Sequence, residues 1–227
     1  MKLASLFSGG KDSIMALYKA LQEGHEVVAL LSMIPKSDDS YLYHVPNINL
    51  TIYQSEAINI PLISKTTSGK PPQENMDLEI ALFELKDKFN IEGITAGAVH
   101  SNYQYNIVAG ICEKLNLKVF APYWQHEHEE LIIDAINSGF EIIIVGVAAE
   151  GLDEMWLGRE LDNDALLELK KLNKKFSVDV GGEGGEYETF VVDGPIFKKR
   201  IEVVEVKKVW DGVRGEVVIE EVKLVDK

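Results

Sequence analysis

Ser8-Gly9-Gly10-Lys11-Asp12-Ser13 gathers two glycines, a lysine, a carboxylate and two hydroxyls into six consecutive residues. Adjacent glycines let a backbone double back, so that several peptide N–H groups aim at one anion with no Cβ between them. Lys11 would add a mobile positive charge. Asp12, which bare phosphate would repel, suits a magnesium ion bridging to phosphate or the orientation of the loop itself. Ser13 is placed to cap a helix whose positive end faces the same anion. A plain Gly-Gly turn would explain the glycines but neither Lys11 nor Asp12. The spacing matches neither the Walker loop nor the Gly-x-Gly-x-x-Gly dinucleotide pattern.

A second cluster, Gly181-Gly182-Glu183-Gly184-Gly185-Glu186-Tyr187-Glu188-Thr189, packs four glycines and three carboxylates into nine residues. Such crowding costs stability unless a cation, a metal or hydrogen-bond donors offset it. Composition alone fits a solvated acidic loop equally well. The adjoining Phe190-Val191-Val192 pins the segment to a strand, which favours a site.

The first cluster resembles the SGGxDS pyrophosphate loop of the N-type ATP pyrophosphatases, which split ATP into AMP and pyrophosphate. The elements around it must hold it at the carboxyl end of a strand. Leu3 to Phe7 reads as a strand and Ile14, Leu17 and Leu21 as one face of a helix. Further strands are expected at Glu26 to Met33, Pro61 to Ser64, Gly93 to Val99 and Lys118 to Pro122, with helices at Leu50 to Ile58, Met76 to Phe89 and Tyr103 to Leu115. Uniformly apolar strands separated by helices predict an α/β fold with a parallel sheet covered on both faces. Ligands of such sheets lie at the carboxyl ends of the strands. Ser32 and Met33 would then offer backbone groups and an apolar wall to adenine, and Gly97 to Ser101 would face the nucleotide, although Gly97 reads equally well as a strand-end turn. From Glu141 onward come one more apolar strand, a charged helix over Asp162 to Lys175 and short β segments at Thr189 to Val192, Ile201 to Val209 and Glu216 to Val225. The expected division is 1–139 for the nucleotide and 140–227 for a smaller α+β unit that binds substrate.

At 227 residues and 46% hydrophobic composition, the chain can bury a normal core. No apolar run is long enough to span a membrane and no secretion signal is evident, so a cytoplasmic protein is expected. Cys112 is the only cysteine, which excludes an internal disulfide and a cysteine-only cluster, and its mid-helix setting suits packing. His126 and His128, two apart, do not share a helical face and are not read as a zinc pair. A net charge of −14 argues against a long nucleic acid as substrate, although some pyrophosphatases modify transfer RNA. Lys198-Lys199-Arg200 with Lys207-Lys208 is the only basic grouping, and it reads as the solvated face of a strand pair.

Taken in order, SGGKDS, Tyr41-Leu42-Tyr43-His44 with Asn47, Gly97-Ala98 with Ser101-Asn102-Tyr103-Gln104, Gly151-Leu152 with Trp156-Leu157-Gly158, and Gly182 to Thr189 are similar to the diphthine–ammonia ligase family. The likeness spans nearly the whole chain and is to the short archaeal form. One departure stands out: after Tyr-Gln the family usually continues with basic residues, whereas Tyr105-Asn106-Ile107 follows here.

The resemblance implies ATP-dependent amidation of diphthine on elongation factor 2, through an acyl adenylate that free ammonia attacks. It implies ATP held by Ser8 to Ser13, Ser32, Met33, Gly97 and Ser101, with catalysis by Lys11 and Asp12 and magnesium at Asp12. His44, Tyr103, Gln104, Glu183, Glu186, Tyr187, Glu188 and Thr189 would meet the substrate. Glu183, Glu186 and Glu188 suit either the trimethylammonium group of diphthine or ammonium, and Tyr187 or Trp156 offers a ring face. Other readings are a related ATPase that adenylates a tRNA base or a small carboxylate, and an ATP-binding regulatory module without catalysis.

Overall fold

The computed structural model describes residues 1–36, 46–68 and 72–227. The chain starts with β1 (Lys2–Leu6), α1 (Lys11–Gln22) and β2 (Glu26–Pro35). It continues through α2 (Thr51–Ile58), β3 (Leu62–Thr67), α3 (Gln73–Phe89), β4 (Gly93–Thr95), α4 (Asn102–Lys114) and β5 (Lys118–Phe120). These strands form a wholly parallel sheet in the order β3-β2-β1-β4-β5. Side chains alternate across it, as the pleat requires. Leu3 and Leu30 join one core, while Ala4, Ala29 and Leu31 join another under Leu78, Leu82 and Leu85 of α3 and Ile111 and Cys112 of α4.

The remaining elements are α5 (His128–Asn137), β6 (Glu141–Val147), α6 (Asn163–Phe176), β7 (Tyr187–Asp193), β8 (Lys199–Trp210) and β9 (Gly215–Asp226). Their strands make an antiparallel sheet in the order β7-β6-β9-β8. Where short segments are expected from sequence, β8 and β9 run 12 residues each. No proline interrupts either strand, and Asp211 closes their turn by accepting the amides of Val213 and Arg214 at 2.9 and 2.8 Å.

One core joins the two sheets. Leu3 and Ile14 from the first half share it with Leu131, Ile144 and Phe190 from the second. Helix α1 lies between them, which is why Ile14, Met15, Ala16, Leu17 and Ala20 are all buried rather than a single stripe. Leu152, Trp156 and Leu157, from the Gly-Leu and Trp-Leu-Gly motifs, also belong to this core. Asn47 donates to the Val217 carbonyl and accepts the Ile219 amide, both at 2.9 Å, fastening the start of the α2 segment to β9.

The strand order reverses direction at β1, between β2 and β4, so a crevice opens beyond the carboxyl ends of β1, β2 and β4. Strand β4 is shorter than sequence predicts and ends at Thr95. Beyond it Gly97 runs against the start of α1, so closely that a Cβ there would lie 2.6 Å from the Asp12 carbonyl carbon.

Candidate active site

The six-residue loop joins β1 to α1 and turns on Gly9, whose φ of +83° suits glycine. A side chain at Gly9 would collide with the amide of Gln54, which donates to the carbonyls of Gly9 and Val191, both at 2.8 Å. The Val191 amide reaches Gly9 O at 3.1 Å, so β7 holds the loop from the other sheet. Ser13 does not cap α1 as expected. As the third residue of the helix it turns its hydroxyl back to donate to Gly10 O at 3.1 Å, and accepts from the Ser8 amide and hydroxyl at 3.3 and 3.2 Å. Thr189 is the cap instead, taking the Lys11 amide on Oγ1 at 3.1 Å. Among the described residues nothing occupies the amides of Gly9, Gly10, Asp12 and Ser13. Four such donors at a helix start suit an anion.

Lys11 is not the mobile charge that sequence predicts. It is 4% exposed, its Nζ lies 2.9 Å from Asp12 Oδ2 and 5.3 Å from the centre of the Tyr187 ring. Burial would lower its ammonium, but Asp12, Tyr187 and Glu183 reverse this and hold it above its ordinary value. It therefore stays charged at any working pH.

The loop opens into a cavity of about 440 Å³, within the range of small-molecule sites. Its apolar walls are Leu6, Leu31 and Met33 from one side and Ile107 and Val108 of α4 from the other; Ser8, Asp12 and Ser13 form the floor, and Gly97 and Ala98 flank them. Gln104, Glu183 and Glu188 complete the polar lining. Sequence reasoning missed Tyr105, Ile107 and Val108, although Gln104, Ile107 and Val108 follow helical i, i+3, i+4 spacing on one face. Tyr105 stacks on Trp124 at 4.0 Å, so the departure from the family's basic residues falls on the cavity wall itself.

Several expected residues lie outside the cavity lining. Ser32 is fully buried and donates to Phe7 O at 2.6 Å, joining β2 to the end of β1. Ser101 caps α4 by accepting the Gln104 amide, and Tyr103 lies on the outer surface, 55% exposed. Tyr187 is buried, donates to Val180 O at 2.7 Å and has Lys11 over its ring. Trp156 is likewise buried with the Arg159 guanidinium 4.5 Å from its ring. Both rings are buried, and each has a protein cation over it. His44 lies outside the described residues.

The three glutamates divide. Glu186 accepts the amides of Gly184 and Asp179 at 2.9 and 3.3 Å and thereby braces its own loop. Glu183 accepts the His100 amide at 3.4 Å, and burial, then the nearby Asp12 charge, lifts its carboxyl above the ordinary range. Burial pushes Glu188 up to about 7 against the pull of Lys11, with Asp12 and Glu183 adding to the rise. Among the described residues no hydrogen bond or ion pair reaches its carboxylate. Behind this loop His128 contacts His100 through a ring nitrogen of each and places its Nδ1 2.5 Å from Asp179. Cys112 is buried and its thiol is pushed up to about 12, a setting for packing.

Residues 1–119 match the diphthamide synthase N-terminal domain and residues 127–225 the diphthamide synthase C-terminal domain. The chain belongs to the diphthamide synthase family. Among its relatives, the diphthine–ammonia ligase of Rattus norvegicus is 40% identical over 222 residues, which cover 89% of this chain and 83% of that protein. The human protein of the same name is 38% identical over 220 residues, 88% of this chain and 82% of its own length. That of Schizosaccharomyces pombe is 36% identical across 98% of this chain, which matches 39% of the longer yeast protein. Within the family both glycine-rich loops thus lie on matched domains, the first in the N-terminal and the second in the C-terminal one.

Proposed function

We propose that this chain amidates diphthine on elongation factor 2 to diphthamide, activating the carboxylate with ATP as an acyl adenylate that ammonia then attacks, with release of AMP and pyrophosphate. One observation carries the reading: a single cavity is lined both by Asp12 and Ser13, whose amides have no partner among the described residues, and by two recessed carboxylates, Glu183 and Glu188. A polyanion and a cationic substrate can therefore meet there.

A carboxylate is a poor acyl donor, so its oxygen attacks the α-phosphorus and pyrophosphate leaves. The amides of Gly9, Gly10, Asp12 and Ser13, with the fixed ammonium of Lys11, stabilise charge as it builds on that leaving group. Adenine occupies the apolar walls at Met33 and Ile107. Asp12 suits magnesium, since its carboxylate is a hard oxygen donor with a 36% exposed side chain lining the cavity; the ion, when bound, would neutralise phosphate charge. Glu183 holds the trimethylammonium group of diphthine beside the Tyr105 ring, and Glu188, without a partner and close to neutral in pKa, takes a proton from the attacking nitrogen. Residues 1–139 hold the nucleotide and 140–227 supply the substrate loop. Modification of a translation factor supports a cytoplasmic location; among the described residues no helix is long and apolar enough to cross a membrane.

The test is incubation with ATP, magnesium, ammonium and diphthine-bearing elongation factor 2, following AMP and the mass of the modified residue. Replacement of hydroxyl by amino in the product, abolished in Asp12→Ala, is the expected result. AMP formation with an unchanged substrate mass would move the reading to another carboxylate.

A further inference from the structure

Converting ammonium to an amide nitrogen removes two protons, and the reading above, on which this inference rests, gives only one of them an acceptor. We propose that His100, oriented by His128 and Asp179, takes the other by deprotonating ammonium at the cavity mouth.

The three residues come from separate elements: His100 precedes α4, His128 opens α5 and Asp179 precedes the acidic loop. Asp179 accepts the Gly181 amide at 2.7 Å on one oxygen and faces His128 Nδ1 with the other at 2.5 Å. A carboxylate in that position accepts, so His128 carries its proton on Nδ1 and its Nε2 becomes an acceptor. Nε2 faces Nδ1 of His100, which must therefore be the donor in the neutral pair. The one nitrogen left, His100 Nε2, is a lone pair. Two hydrogen bonds thus fix the tautomer of an imidazole two residues away from the carboxylate, and Asp179 offsets the positive charge once that imidazole is protonated.

Placement fits the task. His100 is exposed, whereas the side chains of His128 and Asp179 are 17% and 27% exposed, so the outer member of the chain meets solvent and the inner ones are shielded. The His100 amide touches Glu183, and Gly97 and Ala98 just before it line the cavity. The charged groups facing the relay are the carboxylates of Asp179, Glu183 and Glu186, with the Lys11–Asp12 pair beyond Glu183. That surplus of negative charge draws in a small cation. In the step itself ammonium gives a proton to His100 Nε2, and the freed nitrogen lone pair forms the C–N bond. The bond from carbon to the AMP oxygen breaks with its electrons on AMP, the surplus nitrogen proton passes to Glu188, and both bases return their protons to water.

His100→Gln and Asp179→Asn, made in the full chain, test this with two nucleophiles: ammonium, and hydroxylamine, which is already unprotonated at neutral pH. His100→Gln should lose about 10²-fold in amide formation from ammonium at pH 7, with Asp179→Asn losing less, while both keep wild-type hydroxamate formation and AMP release. The deficit with ammonium should shrink as rising pH supplies free ammonia. Equal losses with both nucleophiles would show that the histidines merely hold the loop, and unchanged ammonium rates would likewise overturn the relay. If wild-type protein forms AMP but neither product, the amidation reading falls and the relay falls with it.

Discussion

The two glycine-rich loops that face each other across the cavity work by opposite means. In Ser8 to Ser13 most side chains are committed to the protein: Ser13 ties the loop closed, Lys11 is buried against Asp12 and Tyr187, and the amides of Gly9, Gly10, Asp12 and Ser13 are left without a partner among the described residues. In Gly181 to Glu188 the backbone is committed, since Asp179 takes the amide of Gly181 and Glu186 that of Gly184, and the carboxylates of Glu183 and Glu188 are left at the cavity. A backbone site reads charge and size, as suits a triphosphate common to many enzymes. A side-chain site can be retuned residue by residue, as suits a particular substrate.

The largest expected break in this contrast is Lys11→Met, which keeps the buried volume but removes the one fixed cation of the first loop. ATP-dependent AMP formation should drop about 10³-fold, while binding of the protein substrate, measured by titration without ATP, stays within twofold. Glu188→Gln should cut amide formation about 10²-fold and remove the limb of the pH–rate profile that rises near 7. The same variant has a stability signature of definite sign. Between the ordinary carboxylate value and about 7 the folded protein binds a proton that the unfolded chain has released, so stability falls as pH rises through that window. Glu188→Gln should therefore raise stability by about 3 kcal/mol at pH 8 and change it little at pH 4, as denaturant titration would report.

Smaller effects sharpen the comparison. Gly97→Ala forces a methyl group against the Asp12 backbone and should cost about 1–3 kcal/mol in chemical denaturation while raising KM for ATP. Thr189→Val removes the hydroxyl that caps α1 across the two sheets; about 1 kcal/mol of stability should go, and Thr189→Ser should recover most of it.

Much of this was legible in the chain. The alternation of apolar strands with helices predicts the parallel sheet, and Ser8 to Ser13 sits where strand order reverses, because local periodicity and glycine content are both written in neighbouring residues. What sequence could not supply were contacts between distant segments. Lys11 reads as mobile until Tyr187, 176 positions later, is seen beneath it, and Ser13 reads as the cap until Thr189 takes that role. Glu183, Glu186 and Glu188 are equivalent as letters; only the loop's own hydrogen bonds separate the brace from the two open carboxylates. His128 reads as a charged-helix residue because nothing near it in sequence announces His100 or Asp179.

The cap that β7 lends to α1 also bears on how this family can change. A nucleotide-binding half usually reads as an exchangeable module, to be joined to a new partner when a new substrate is needed. Here the module lacks its own keystone: Thr189, together with the Val191 amide that reaches Gly9, comes from the partner half. A graft of another substrate unit onto residues 1–119 would have to bring a hydroxyl and a strand edge to the same places, so the first loop of this chain depends on both halves for its shape.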